Sequence, residues 1–194
     1  MRVIAGSAKG RRLETVAGWS VRPTSDRVKE ALFSLLASRV SLAAAAVLDL
    51  FAGSGALGIE ALSRGAASVT FVEEDRAARL VLERNLTHCG FAGRATVLGL
   101  PVGRALAELA KRGARFEGVL LDPPYGRGLA AETLAALGGG TLLTVEAWVT
   151  AEHHADDALA ATFGALRLTA SKRYGSTALT VYRESGNAER TATS

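Results

Sequence analysis

Hydrophobic and polar positions follow two periods along this chain, one typical of strands and one typical of helices. From residue 46 onward, short apolar runs alternate with stretches whose apolar residues recur three and four positions apart. The predicted strands are 46–51, 68–73, 94–98, 117–122 and 144–150, and the predicted helices are 56–65, 75–89, 102–112 and 128–137. This alternation predicts an α/β fold with a mainly parallel sheet covered by helices on both faces.

The two ends of the chain depart from this alternation. Residues 165–172 and 177–183 alternate apolar and polar side chains around a short turn, which predicts an antiparallel hairpin at one edge of the sheet. Residues 2–5 and 12–16 flank a basic, glycine-containing turn, so we predict a small N-terminal hairpin. Apolar residues at helical spacing predict a helix over 25–38.

Length and composition are typical of one globular domain. The 194 residues are 48% hydrophobic and 22% charged, and the single cysteine, Cys89, excludes an intramolecular disulfide. We find neither a secretory signal nor a membrane-spanning run, so we expect a cytoplasmic protein with no membrane partner. We expect a basic appendage at 1–40, the main domain at 41–184 and a flexible tail at 185–194.

Positive charge is concentrated at the two ends of the chain. Residues 1–40 contain eight Lys and Arg against three Asp and Glu, and residues 165–194 contain five against two. This distribution fits a polyanionic partner held by both ends, and chance clustering of solvated side chains is the alternative. The candidates for phosphate contacts are Lys9, Arg11, Arg22 and Arg27.

A glycine turn follows the first predicted strand. The turn is Gly53-Ser54-Gly55, and a residue without a Cβ there permits positive φ and lets a ligand approach the main chain. Glu73 lies twenty positions after Gly53, at the end of the second strand, where a carboxylate can accept hydrogen bonds from ribose hydroxyls. These features predict an adenosine-containing cofactor without choosing which one. The alternative is a turn that binds nothing.

A second motif, Asp122-Pro123-Pro124-Tyr125, follows the strand at 117–122. Ligands of open α/β sheets bind beyond the carboxyl ends of the strands, so this loop is expected to face the same crevice as the glycine turn. A carboxylate, a fixed proline carbonyl and an aromatic ring suit a planar heterocycle with an exocyclic amino group. Such hydrogen bonds aim the amino lone pair at an electrophile above the glycine turn. A plain surface turn is the alternative.

The glycine-turn segment and the Asp-Pro-Pro-Tyr loop together resemble the motifs of the class I S-adenosylmethionine-dependent amino-methyltransferases, at residues 48–55 and 122–125. The flanking segments 2–6, 22–33 and 172–175 are similar to the RsmD family, whose members methylate the N2 amino group of a guanine in bacterial small-subunit (16S) ribosomal RNA. The resemblance covers nearly the whole chain.

The resemblance implies a class I (Rossmann-like) methyltransferase fold for the seven predicted strands, S-adenosylmethionine as cofactor, and ribosomal RNA or the small ribosomal subunit as partner. We expect a monomer. The resemblance also implies that residues 22–24 close over the cofactor or the RNA. No residue is assigned to the adenine, because 98–101 lacks the acid that relatives usually place there. The implied cofactor residues are Asp49, Phe51, Gly53, Ser54, Gly55 and Glu73, the implied catalytic residues are Asp122, Pro123, Pro124 and Tyr125, and Lys172 joins the candidates for nucleic-acid contact.

Three other functions remain open from the sequence. A DNA amino- or cytosine-methyltransferase uses the same cofactor site, and a nicotinamide-dependent oxidoreductase uses a similar glycine turn. A non-catalytic RNA-binding protein is the third. No metal site is expected, because the three histidines and one cysteine lack ligand spacing.

Overall fold

A single mixed sheet runs through the protein. The computed structural model describes residues 1–16 and 26–186. Within these ranges the strands are β1 (Ala46–Leu50), β2 (Ser68–Val72), β3 (Ala95–Leu98), β4 (Phe116–Leu121), β5 (Leu143–His154), β6 (Thr162–Phe163), β7 (Leu166–Tyr174) and β8 (Thr177–Glu184). Their order across the sheet is β3-β2-β1-β4-β5-β8-β7-β6.

The first five strands in this order pair in parallel, and the last three pair antiparallel. The predicted α/β fold with an antiparallel edge hairpin is therefore confirmed. The described residues form eight strands instead of the predicted seven, because Thr162–Phe163 adds a short strand to β7. β5 also runs on to His154 instead of ending near residue 150, because its polar last residues pair with the start of β8 and become buried there.

Helices cover both faces of the sheet. They are α1 (Asp26–Ala37), α2 (Ala56–Ser63), α3 (Arg76–Cys89), α4 (Val102–Lys111) and α5 (Leu129–Gly139), with a short 3-10 turn at Ala92–Arg94. The first three helices pack on one face against side chains such as Val47 and Leu120. The other two pack on the opposite face against side chains such as Leu48 and Val119. Neighbouring positions along one strand therefore enter two different cores, as the strand period of two requires.

The N-terminal segment forms the expected small hairpin, reduced to one bridge between Arg2 and Arg12. Its turn packs on the end of α2: the Ser7 N–H donates to the Ser63 carbonyl at 2.8 Å, and the Ala8 N–H donates to Ser63 Oγ at 2.9 Å. Gly6 has a φ of +83°, and a Cβ there would overlap the Ser63 carbonyl. The hairpin turn therefore lies at the end of α2 that is farther from the glycine turn. The division of the chain at residues 40 and 184 stays a prediction.

A buried ion pair joins the N-terminal segment, α1 and α2. The side chains of Lys29 and Glu60 are fully buried, with Nζ 3.5 Å from Oε2, and Lys29 Nζ also donates to the Arg2 carbonyl at 2.6 Å. The Glu60 carboxylate accepts the N–H groups of Ile4 at 2.8 Å and Ala5 at 3.0 Å. Burial lowers the pKa of Lys29, and the Glu60 charge opposes that shift. One carboxylate thus satisfies the polar groups of three chain segments.

Replacing Glu60 with glutamine is expected to cost about 3–5 kcal/mol in the free energy of unfolding, because it leaves the ammonium of Lys29 buried without a counter-charge. The matched control is Glu108→Gln. Glu60 pairs with Arg64, four residues later, at 2.7 Å, and Glu108 pairs with Arg112 in the same way at 2.8 Å. The Glu108 pair is exposed, so its loss is expected to cost less than about 1 kcal/mol. Urea unfolding followed by circular dichroism measures both variants. Equal losses would contradict the role given to Glu60.

Candidate active site

Four acidic side chains line the carboxyl edge of the sheet on adjacent strands. Asp49 is in register with Phe71 on one side and with Leu120 on the other, so all three share a sheet face. Two positions further along their chains come Glu73 and Asp122, which the strand period places toward the same face. Thr150 is in register with Leu120, and Glu152 follows two positions later. The acids of this edge are Asp49, Glu73, Asp122 and Glu152.

The glycine turn connects the end of β1 to α2 through left-handed backbone. Gly53 and Gly55 have φ of +55° and +85°, and a Cβ on Gly55 would overlap the side chain of Leu82. Phe51, just before the turn, has a φ of +61°, which is costly for a residue with a bulky side chain. Strain of this kind persists only where the surroundings impose it, and it is concentrated at functional sites.

Glu73 holds the glycine turn in place. Its Oε2 accepts the Gly53 N–H at 2.8 Å, and its Oε1 accepts the Asp75 N–H at 2.8 Å. The residue is only 8% exposed. A carboxylate offers about four acceptor sites, so acceptor capacity is left on both oxygens for further donors. The acid that the sequence pointed to therefore lies directly against the turn.

Asp49 lies beneath the turn and is almost completely buried. Its Oδ2 accepts the Gly58 N–H at 2.9 Å. Burial raises the pKa of Asp49 to about 8; the hydrogen bond from Gly58 opposes this shift, and the charges of Asp122 and Glu73 add to it. Without a cation nearby, the carboxyl group is therefore mostly protonated at neutral pH.

Asn85 is a site residue that the sequence analysis missed. It is 1% exposed on α3, and its Nδ2 donates to the Ser54 carbonyl at 2.9 Å and to the Glu14 carbonyl at 3.0 Å. Its Oδ1 accepts the Glu14 N–H at 2.9 Å. The side chain thereby ties the glycine turn to the N-terminal segment. An amide on the apolar face of a helix was the available signal.

Tyr125 is held by its hydroxyl group. The hydroxyl donates to Glu152 Oε1 at 2.8 Å and lies 3.2 Å from Thr177 Oγ1, while the ring meets His154 edge to face at 6.0 Å. Tyr125 is nevertheless 39% exposed. Burial raises the pKa of its hydroxyl, with the neighbouring carboxylates adding to the shift, so the group stays protonated and donates. Glu152 and Thr177 were not predicted, because only the β5–β8 pairing brings them to this loop.

The structure brings the predicted cofactor residues and the Asp-Pro-Pro-Tyr loop to one rim. Of the basic candidates, Arg27 is exposed in the first turn of α1, and Lys172 is exposed on β7 near the hairpin turn that reaches Tyr125. Lys9 and Arg11 lie away from the rim, since the hairpin turn sits at the end of α2 and Arg11 donates to the carbonyl of His88 at the end of α3. Arg22, like 23–25, lies outside the described residues.

The described residues contain neither a candidate membrane span nor a cluster of metal-binding side chains. Over 1–16 and 26–186, no helix has both the length and the apolar content needed to cross a membrane. In the same ranges, no three His, Cys, Asp or Glu side chains are grouped as metal ligands.

Comparison with known proteins decides the family. Residues 1–183 match a family model described as "Conserved hypothetical protein 95". The ribosomal RNA small subunit methyltransferase D of Escherichia coli K12 is 38% identical over 189 residues, which is 97% of this chain and 92% of that protein. The chain belongs to the RsmD family.

Solved structures agree with membership in the RsmD family. The Escherichia coli protein yhhF superposes with a TM-score of 0.81 at 39% identity, over 95% of this chain and 98% of that one. An RNA methyltransferase of Salinibacter ruber, crystallised with S-adenosyl-L-homocysteine, shares the fold with a TM-score of 0.65 at 14% identity, over 89% of this chain and all of that one. The RsmD chain thus has a methyltransferase fold over most of its length.

The raised pKa of Asp49 predicts how stability depends on pH. In the folded protein this carboxyl keeps a proton up to about pH 8, whereas in the unfolded chain it loses the proton near 3.8. Its contribution to stability is therefore complete below pH 3.8 and is lost as the pH rises through about 8, by roughly 1.4 kcal/mol per pH unit in between.

Asp49→Asn removes this titration and keeps an oxygen acceptor for the Gly58 N–H. Relative to wild type, the variant is expected to gain stability steadily from about pH 5 to about pH 8 in thermal unfolding experiments. Glu83→Gln, at an exposed position on α3, is the matched control and should follow the wild-type curve. Parallel curves for wild type and Asp49→Asn would show that Asp49 is ionised throughout.

Proposed function

We propose that this protein transfers a methyl group from S-adenosylmethionine to the exocyclic N2 amino group of a guanine in small-subunit (16S) ribosomal RNA. The observation that carries the proposal is that the glycine turn after β1 and the Asp-Pro-Pro-Tyr loop after β4 end at one rim, on adjacent strands. The name of the Escherichia coli relative supports the RNA substrate. The choice of guanine N2 rests on the resemblance of the motifs to the RsmD family. We expect a monomer that acts in the cytoplasm on the RNA or on the small subunit.

The acidic half of the rim fits the cofactor. S-adenosylmethionine supplies a methyl group on a positively charged sulfur. Glu73 keeps acceptor capacity for the two ribose hydroxyls while it fixes the turn through Gly53. The absence of a Cβ at Gly53 leaves the main chain open to close approach, whereas the absence of one at Gly55 lets the turn pack against Leu82. The positively charged sulfur of the cofactor also favours the ionised form of Asp49. Cofactor binding is therefore expected to release a proton from Asp49 near neutral pH.

The second half of the rim fits the amino group. In the proposed reaction, Asp122 and the Pro123 carbonyl accept its two N–H donors, which aims the nitrogen lone pair toward the glycine turn. Tyr125 stacks on the base with its ring fixed by Glu152. As the new C–N bond forms and the S–C bond breaks, positive charge develops on nitrogen. Asp122 stabilises that charge and accepts the proton.

The direct test is product analysis with an Asp122 variant. Wild-type protein, methyl donor, and either 16S RNA or DNA are incubated, and the nucleosides are identified by mass spectrometry. N2-methylguanosine from RNA is the expected product. Asp122→Asn should lower the rate of methyl transfer about 10²–10⁴-fold, because it removes the charge that stabilises the developing cation.

Cofactor and RNA binding should change little in Asp122→Asn, and the exposed Glu83→Gln variant should react like wild type. A methylated adenine or cytosine, or a product in DNA alone, would reject the guanine assignment. A full rate with Asp122→Asn would remove this residue from the reaction.

The basic residues lead to a second test, which separates contacts near the rim from contacts at the hairpin. Each lost phosphate contact should lower the slope of log affinity against log salt by about 0.7 for single-stranded RNA. Lys172→Ala should lower this slope both for an oligonucleotide of about six nucleotides and for a long 16S fragment. The double variant Lys9→Ala, Arg11→Ala should affect only the long RNA, because these residues lie at the far end of α2. An unchanged slope with the long RNA would exclude the hairpin from the interface.

A further inference from the structure

Asp49 lies between two other acids of the rim. Its strand, β1, is flanked in the sheet by β2 and β4, which lead into Glu73 and Asp122. The residue is 2% exposed, and its Oδ2 accepts the Gly58 N–H of α2 at 2.9 Å. The charged groups that act on Asp49 from the neighbouring strands are therefore both carboxylates.

No cationic side chain of the described residues neutralises Asp49. Over 1–16 and 26–186, neither Asp49 nor Glu73 forms an ion pair with a lysine, arginine or histidine. The charged residue of α2, Glu60, is paired with Lys29 and Arg64 instead. A buried carboxyl group without a counter-charge favours its neutral form. A positive charge next to Asp49 therefore has to come from outside these residues.

The proposed reaction brings such a charge to the end of β1. The ribose is assigned to Glu73 and the amino group to Asp122, and β1 is the strand between theirs. In S-adenosylmethionine the sulfur that connects the ribose side to the methyl group is positively charged. In the product, S-adenosyl-L-homocysteine, the same sulfur is a neutral thioether. Donor and product thus differ by one charge and one methyl group.

We infer that Asp49 distinguishes the methyl donor from the product, because it gives up its proton when the cationic donor binds and keeps it when S-adenosyl-L-homocysteine binds. The inference rests on the proposed function and names the residue that makes its cofactor site selective. A buried carboxylate is weakly screened, so it attracts a nearby cation strongly and a neutral sulfur hardly at all. The ribose contacts of Glu73 are available to both ligands and provide no such selectivity.

The protons balance over the proposed reaction. As the S–C bond breaks and the N–C bond forms, the sulfur becomes neutral and the amino nitrogen loses one proton to Asp122. Asp49, no longer opposite a cation, takes up one proton. The total charge of the protein and its bound ligands is therefore unchanged. The product is held without the ion pair that held the donor, which favours its release.

The first test counts protons on the wild-type protein. Isothermal titration calorimetry near neutral pH, in two buffers with different ionisation enthalpies, gives the number of protons released as each ligand binds. The ligands are S-adenosylmethionine, S-adenosyl-L-homocysteine and sinefungin, an unreactive analogue with an ammonium group in place of the methylated sulfur. The two cationic ligands should each release nearly one proton more than S-adenosyl-L-homocysteine.

The second test follows affinity against pH in wild type and in Asp49→Asn. Between about pH 6.5 and about pH 7.5, the wild-type dissociation constant for S-adenosylmethionine should fall about fivefold, because ligand binding that releases a proton strengthens as pH rises. That for S-adenosyl-L-homocysteine should stay nearly constant. Asp49→Asn should lose this difference. The amino group of each ligand titrates equally in both proteins, so comparing them isolates Asp49. Glu83→Gln, exposed on α3, should match wild type.

Equal proton counts for the three ligands with wild type would overturn the inference, and this result does not depend on any variant. An unaltered difference between donor and product in Asp49→Asn would overturn it as well. A protein with the expected proton counts that transfers no methyl group to RNA would keep the inference and reject the proposed reaction. Methyl transfer with equal proton counts would do the reverse.

Discussion

The parallel pairing of β2, β1, β4 and β5 is the constraint on which the rest of the structure depends. Parallel strands in register end at one edge, so whatever follows each strand is delivered to the same rim. The glycine turn, Glu73 and the Asp-Pro-Pro-Tyr loop are separated widely in sequence but follow neighbouring strands. Since the register fixes which side chains share a face, it also decides that Asp49 and Asp122 approach each other.

This concentration of carboxylates has an electrostatic cost in the protein alone. Burial raises the pKa of Asp49 to about 8 and the charges of Asp122 and Glu73 add to this shift, so the Asp49 carboxyl keeps its proton at neutral pH. The same negative charge attracts a cation. A site that is electrostatically unfavourable when empty and favourable with a cationic ligand is poised for binding.

The N-terminal segment is tied to this rim by two buried polar side chains. Glu60 lies on α2, the helix that begins at the glycine turn, and its carboxylate accepts the N–H groups of residues 4 and 5. Asn85 joins Glu14 to the carbonyl of Ser54 within the turn. The segment therefore contributes to the shape of the cofactor turn, although its basic hairpin turn lies at the other end of α2.

The sequence by itself determined the α/β fold, the two motif loops and their common edge, because hydrophobic period, glycine and proline positions and strand–helix alternation are local properties. It also identified Glu73 from spacing. It could not identify Glu152, Thr177 or Asn85 as site residues, because their partners lie far away in the chain. Their polar side chains read locally as loop or surface, and only burial by β5–β8 pairing or by helix packing turns them into fixed partners. Tertiary structure alone decided that Glu152 and Thr177 meet Tyr125 and that Asn85 meets the glycine turn, because these contacts depend on strand register and on packing between distant segments.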